Sequence, residues 1–257
     1  MDGFFDKYGR VIIIAVAICF VLLFLTPMRN VVGSSINGFV GNFANKVGES
    51  LGTVKMPDAG IVQSGSILKI EGNKYIVLEK RENNQTLVMT ASSIGNRKFQ
   101  SRSSNSLRQD GQWINTYEGS EIDNYLENEW YNGLSSTMKV AIQTTNIKQA
   151  SYFQGKEQET GYGGQVYNTI SRHAFLPSVS KIGKVVDLKN PDKVKAFLNG
   201  TDLWTRDSFQ DDYAEFLSAN SGGLGFNNVD FHNGVYPAFV INLSKVDYTV
   251  EGTTNYK

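Results

Sequence analysis

Cysteine is nearly absent from this chain: one occurs in 257 residues, Cys19, and it lies inside an apolar run near the start. No intrachain disulfide can form, and the residues beyond that run hold neither a thiolate nucleophile nor a cysteine-based metal site. Histidine is almost as scarce. His173 and His232 are the only two, with no H-E-x-x-H and no paired-ligand spacing around them. Excess charge is also missing, because 25 Lys and Arg balance 25 Asp and Glu. That balance removes the case for a nucleic-acid partner and for a strongly acidic or basic surface. No catalytic constellation is read from the remaining residues, and the expectation is that the protein is not an enzyme.

What the chain has in abundance is a single apolar run, Val11 to Met28, uncharged between Arg10 and Arg29. As a helix it would span about 27 Å, close to the ~30 Å hydrocarbon core of a bilayer. A secretory signal peptide would be shorter and end in small residues, but no A-x-A follows here. A buried core helix would rarely be apolar on every face. The expectation is a single-pass membrane anchor, with lipid as the partner of residues 11–28. Lys7 and Arg10 before the run against Arg29 after it place the C-terminal domain outside the cell membrane.

Beyond the run, Val32, Ile36, Phe39, Val40, Phe43, Val47 and Leu51 recur at helical spacing. Residues 30–56 are therefore expected to form an amphipathic stalk and linker. Its four glycines at 33, 38, 41 and 48 would leave it unstable unless it packed on something. Either the domain or the membrane surface could receive it, or it could self-associate through its small residues as a homo-oligomer. About two hundred residues remain from 57 to 257, enough for one domain with a sizeable core.

That domain is expected to be α+β, with short strands and a few helices. Ser66–Ile70 and Lys74–Leu78 read as a hairpin around Glu71-Gly72-Asn73, and Gln85–Ala91 as a third strand. Ser120-Glu121-Ile122-Asp123 resembles a capping box, starting a helix with Ile122, Tyr125, Leu126 and Trp130 on one face. A short helix is expected over Thr137–Ile142. Asn190-Pro191-Asp192 opens another that Asn199-Gly200 stops. Pro237–Leu243 is the strongest late strand.

Five segments carry a resemblance. They are Gly65–Ile70, Thr116–Tyr131, Phe175–Ile182, Leu203–Ser208 and Gly234–Phe239. In that order they are similar to the G-x-I-x-F, T-Y-x-x-S-x-I-R-x-W-L-N-x-x-F-Y, F-L-L-S-x-x-E, W-W-L-R-S and G-V-R-P-A signatures. These mark a bacterial family of extracytoplasmic domains classed as a domain of unknown function. The resemblance assigns a structural signature to Trp130, Trp204, Gly234 and Pro237. Two arginines of the pattern are replaced, by Asp123 and Tyr236, and only Arg206 remains. The W-x-R strand and the terminal G-x-x-P-A strand also resemble C-type-lectin-like folds of the formylglycine-generating-enzyme type. Such folds often hold calcium through Asn and Asp, and Asn227-Asn228-Val229-Asp230 is a faint echo of that arrangement. No other cofactor is implied.

Exposed aromatics supply the best functional lead. Trp113, Tyr117, Tyr152 and Tyr162 stand in or beside polar loops, a composition suited to sugars or protein surfaces. With Arg206 they form the candidate binding set, although Arg206 beside Trp204 also fits a buried, backbone-directed brace. The expected function is a membrane-anchored extracytoplasmic binding module that presents loops to a partner protein or cell-surface glycan. The alternative is a pilin-like structural subunit that multimerises through its N-terminal helix.

Overall fold

The computed structural model describes residues 61–102, 107–152, 165–210 and 212–257, with backbone only at 150–152 and 165–167. The expected membrane segment 11–28 and stalk 30–56 lie outside the described residues. Among the described residues, no helix is long and apolar enough to cross a membrane.

The chain opens with β1 (Ser66–Ile70) and β2 (Asn73–Lys80), paired in register from Ile67 opposite Ile76 to Ile70 opposite Asn73. Glu71 and Gly72 turn the chain with φ of 48° and 82°. Two successive positive φ values match the strand twist, which is why a Gly belongs in this turn. β3 (Gln85–Thr90) adds to β2, and β4 (Asn96–Lys98) leaves for a second sheet. Helix α1 (Glu121–Asn124) begins where Ser120 Oγ accepts from Asp123 N at 3.2 Å. It runs straight into a π-helical turn, Tyr125–Trp130, whose wider closure is shown by Tyr131 N donating to Leu126 O at 3.0 Å.

Helix α2 (Ser136–Ala141) leads into β5 (Ile142–Gln143), followed by the antiparallel pair β6 (Thr145–Tyr152) and β7 (Gln165–Arg172). A single turn α3 (Val179–Ile182) precedes α4 (Pro191–Leu198). Asn190 Oδ1 caps α4 by accepting from Asp192 N and Lys193 N. Asn199, at φ 47°, ends it in the left-handed region. The rest is β: β8 (Leu203–Ser208), β9 (Tyr213–Ser218), β10 (Gly223–Asn228), β11 (His232–Gly234), β12 (Ala238–Asn242) and β13 (Tyr248–Thr253).

A six-stranded sheet runs β13-β1-β2-β3-β12-β5 and a five-stranded sheet β10-β9-β8-β11-β4. Side chains alternate across the larger sheet, as a two-residue period requires. Ile76, Leu78, Leu87, Met89 and Val240 enter the main core with Trp204, Leu217 and Phe197. Tyr75, Val77, Val88, Phe239 and Ile241 face the other way, where Met138 and Ala141 of α2 cover them. Trp204 is fully buried at the centre and meets Phe99 and Phe216 edge-on, at 5.9 and 6.1 Å between ring centroids. Such pairs contribute about 0.5–1.5 kcal/mol each beyond their burial.

This architecture corrects the expected fold class. The described chain is mostly β, with thirteen strands, and its longest regular α-helix has eight residues. An α+β balance overweights the helices, because those the capping signals mark are short, four residues in α1 and six in α2. Neither the membrane helix nor the helical stalk is among the described elements, and nothing observed supports the C-type-lectin-like assignment.

Candidate functional site

A groove of about 510 Å³ lies at one end of the five-stranded sheet. Four local features build it. The left-handed stop at Asn199 and the Gly200 turn, φ 83°, deliver Thr201 and Asp202 to the start of β8. Asp202 is fixed there because its Oδ1 accepts from Ala219 N at 2.7 Å. β11 runs parallel to β8, and Gly234 N donates to Asp202 O at 2.8 Å. β4 flanks β11, with Asn96 opposite Gly234.

Gly234 permits this close approach. A Cβ there would stand 2.5 Å from Asp202 O and 2.6 Å from Thr201 Cγ2. The walls are polar: Asn96, Asn220 and Asn233 supply amides, Thr201 a hydroxyl, Asp202 a carboxylate and His232 an imidazole. No Lys or Arg is among the lining residues. Asn233 is 4% exposed, and its Nδ2 has no hydrogen-bond partner among the described residues. A buried donor left in this state costs about 1–3 kcal/mol. Tyr236 stands behind the groove, buried beside Thr201 and Asp202. Burial pushes its phenol up, opposed by a Thr201 side-chain hydrogen bond and reinforced by the Asp202 charge.

The sequence-derived candidates do not converge here. Tyr117 is fully buried, with its hydroxyl accepting from Leu176 N at 3.1 Å and its ring edge-on to Phe99. Burial therefore pushes its phenol well above the usual range. Its expected place among ligand-facing loop aromatics is corrected: Tyr117 is part of the core. Arg206 is 4% exposed and donates Nε to Lys148 O at 2.8 Å and Nη1 to Leu176 O at 3.1 Å. Those carbonyls come from separate segments, so Arg206 braces β6 and the loop at Leu176 against β8 rather than presenting a free charge. Trp113 is half-buried in an isolated bridge with Leu107. Tyr152 closes β6 by its backbone, and Tyr162 lies outside the described residues.

Trp204, Pro237 and Trp130 make contacts within the fold. Trp204 Nε1 donates to Arg97 O at 2.9 Å, and the Pro237 carbonyl accepts from Thr90 N at 3.0 Å. Trp130 packs against Phe239 at 5.8 Å and borders a second hollow of about 370 Å³. Among the described residues no group of three or more His, Asp or Glu could hold a metal ion.

Sequence reasoning missed two features. Asp202 and Asn233 sit 31 positions apart in unremarkable polar stretches, and only the parallel β8–β11 pairing joins them. Glu127 and His173 also meet, at 2.7 Å between Oε1 and Nδ1. The only sequence signal for the groove was Gly234 within a recognised strand.

Comparison with curated proteins yields no match, and no solved structure matches either. A family model does match, over residues 83–243, which takes in β3 through β12 and both sides of the groove. This chain therefore belongs to the DUF6273 family, a domain of unknown function.

Proposed function

We propose that this protein is a binding module whose groove at the β8–β11 junction takes a neutral, polyhydroxylated ligand, in the form of a glycan. The observation that carries the reading is the groove's lining, where the amides of Asn96, Asn220 and Asn233, the Thr201 hydroxyl and the Asp202 carboxylate stand together without a Lys or Arg. Sugar hydroxyls both donate and accept. A wall of amides, one hydroxyl, one carboxylate and one imidazole offers them both kinds of partner. An anionic ligand would lack a cation to meet it and would face Asp202 directly. An apolar ligand would strand the amides unsolvated.

A protein partner is the second reading, favoured by one observation. Phe226 and Phe231 are 55% and 56% exposed, and Phe226 stacks on Phe209 at 4.3 Å. Exposed aromatics of this kind are typical anchors at protein interfaces. A location outside the cell membrane goes with either reading and rests on the uncharged run 11–28.

The test is binding of the full chain to a panel of neutral and sulfated oligosaccharides, followed by calorimetry on any hit. We expect neutral sugars to bind and Asp202→Ala and Asn233→Ala each to weaken them about tenfold or more, as for a buried hydrogen-bond group. Binding that neither variant weakens, or capture of sulfated sugars alone, would overturn the glycan reading.

A further inference from the structure

We propose that Thr144, His173 and Glu127 form a hydroxyl-activating relay that accepts an acyl group from a carboxylic ester. This inference is independent of the groove, and it departs from the non-catalytic expectation of the sequence.

Three separate segments meet at this point. Glu127 projects from the π turn after α1, His173 follows the last residue of β7, and Thr144 lies between β5 and β6. Glu127 Oε1 is 2.7 Å from His173 Nδ1, and Thr144 Oγ1 is 2.9 Å from His173 Nε2. The other carboxylate oxygen, Oε2, accepts from His173 N at 2.8 Å and from Ala174 N at 3.3 Å. Tyr131 lies flat on the imidazole, with centroids 4.4 Å apart and planes 10° from parallel. Glu127 is thus held at both oxygens, and the ring is held at its edge and one face.

With Glu127 ionised and the His173 ring neutral, the network sets the direction of each proton. An ionised Glu127 accepts only, so Nδ1 of the neutral ring carries the hydrogen and donates it. Nε2 then holds a lone pair, and the Thr144 hydroxyl must be the donor to it. Hydroxyl, base and orienting carboxylate follow one another within hydrogen-bond reach, which is the arrangement that activates an alcohol as a nucleophile. The π turn is a second observation. Such turns are rare and concentrate at functional sites. Here the wider winding sets both Glu127 and Tyr131 against the ring. Thr144 is exposed and the His173 side chain is 32% exposed, so an ester can approach the hydroxyl.

The step balances with water as co-reactant. Thr144 Oγ1 attacks the ester carbonyl carbon as its proton passes to His173 Nε2, and the C=O electron pair moves onto oxygen. The adduct collapses, the C–O bond to the alcohol breaks, and the alcohol leaves with the proton from Nε2. Water then attacks the acyl-threonine by the same route, releasing a carboxylic acid and restoring the hydroxyl. Glu127 opposite the ring proton compensates the imidazolium formed in each half. The γ-methyl of threonine crowds the nucleophile, so the substrate class is an ester with a small acyl group.

The full chain is incubated with p-nitrophenyl acetate, and acetylated residues are mapped by mass spectrometry. The expected result is an acetyl adduct on Thr144, formed at least about tenfold more slowly in His173→Gln and faster in Thr144→Ser. Thr144→Val preserves shape and should melt within a few degrees of the parent while losing the adduct. No adduct on Thr144, or one formed undiminished in His173→Gln, would overturn the proposal. Glu127 acts as a positioning residue, read by NMR of ¹⁵N-labelled histidine. His173 should carry its proton on Nδ1 in the parent and shift toward Nε2 in Glu127→Gln. An unchanged tautomer would remove Glu127 from the relay.

Discussion

Asp123 and Arg172 meet in a two-pronged ion pair: Nε lies 2.8 Å from Oδ1 and Nη2 lies 2.7 Å from Oδ2. Asp123 is 1% exposed and also accepts from Gly119 N at 2.8 Å. Asp123, near the end of α1, thus holds an arginine from the end of β7. That contact locks α1 to the β6–β7 pair and places Glu127 beside His173. The Asp123 hydrogen bond raises the Arg172 pKa above its ordinary value, against the opposing effect of burial.

Breaking this pair from one side should be severe. Asp123→Asn or Arg172→Met strands a buried charge or its donors, at about 3–5 kcal/mol. The double variant Asp123→Asn/Arg172→Met should cost less than the sum of the two singles. Urea unfolding of the three variants checks both statements, and additive losses would show that the two side chains do not couple.

Gly234→Ala tests the groove from beneath. Its Cβ would overlap Asp202 O and Thr201 Cγ2, so β11 and β8 must separate at their single parallel contact. A loss of about 1–3 kcal/mol is expected from the overpacking, together with the loss of any groove ligand. Gly200→Ala is the control, since nothing lies within 4 Å of its Cβ position. Its cost should be confined to the strain of φ 83°.

Much of the local structure was legible from short-range chemistry. Glu71-Gly72-Asn73 signalled a turn because Gly and Asn are turn formers and Gly takes a positive φ without steric cost. Ser120, Asn190-Pro191 and Asn199-Gly200 marked helix ends through groups that satisfy orphan amides or accept a left-handed stop. The five-stranded sheet was not legible in the same way. β10, Gly223–Asn228, offers only Leu224 and Phe226 as large apolar residues, and β11 has three residues. Their pairing depends on the fold rather than on their own pattern. The helical spacing through Trp130 was readable, but the π turn within it was not, because a 3.6-residue period carries no sign of wider winding. The relay depends on that turn and joins three distant segments, so no spacing in the chain points to it.

Acid should weaken the contact between α3 and β2. Burial alone would raise the Glu79 carboxyl, but hydrogen bonds from Lys184 and Lys181 (the latter at 2.9 Å) and their charges outweigh it, taking the pKa from 4.5 to about 2. A carboxyl lowered on folding contributes stability above its unfolded pKa and loses it as pH falls toward the folded one. The contribution, roughly 1–2 kcal/mol after solvent screening, is therefore full above about pH 5 and fades from there toward pH 2. The stability gap between the parent and Glu79→Gln should shrink across that window. A gap that stays constant would place the contribution in packing rather than in charge.

Tyr117→Phe separates a core role from a ligand-facing one. The phenol oxygen is the partner of the buried Leu176 N, and Leu176 O in turn accepts from Arg206 Nη1. Removing the oxygen leaves the Leu176 amide buried without its acceptor while the ring volume stays nearly constant. The expected loss is about 1–3 kcal/mol, close to the desolvation penalty of one stranded donor. Because the ring is fully buried, any glycan bound in the groove should keep its affinity in Tyr117→Phe. Asn233→Ala should show the opposite pattern, with binding weakened about tenfold or more and stability kept or raised, since its Nδ2 has no partner within the described fold to lose. A Tyr117→Phe variant that kept its stability but lost binding would return Tyr117 to the ligand-contacting set.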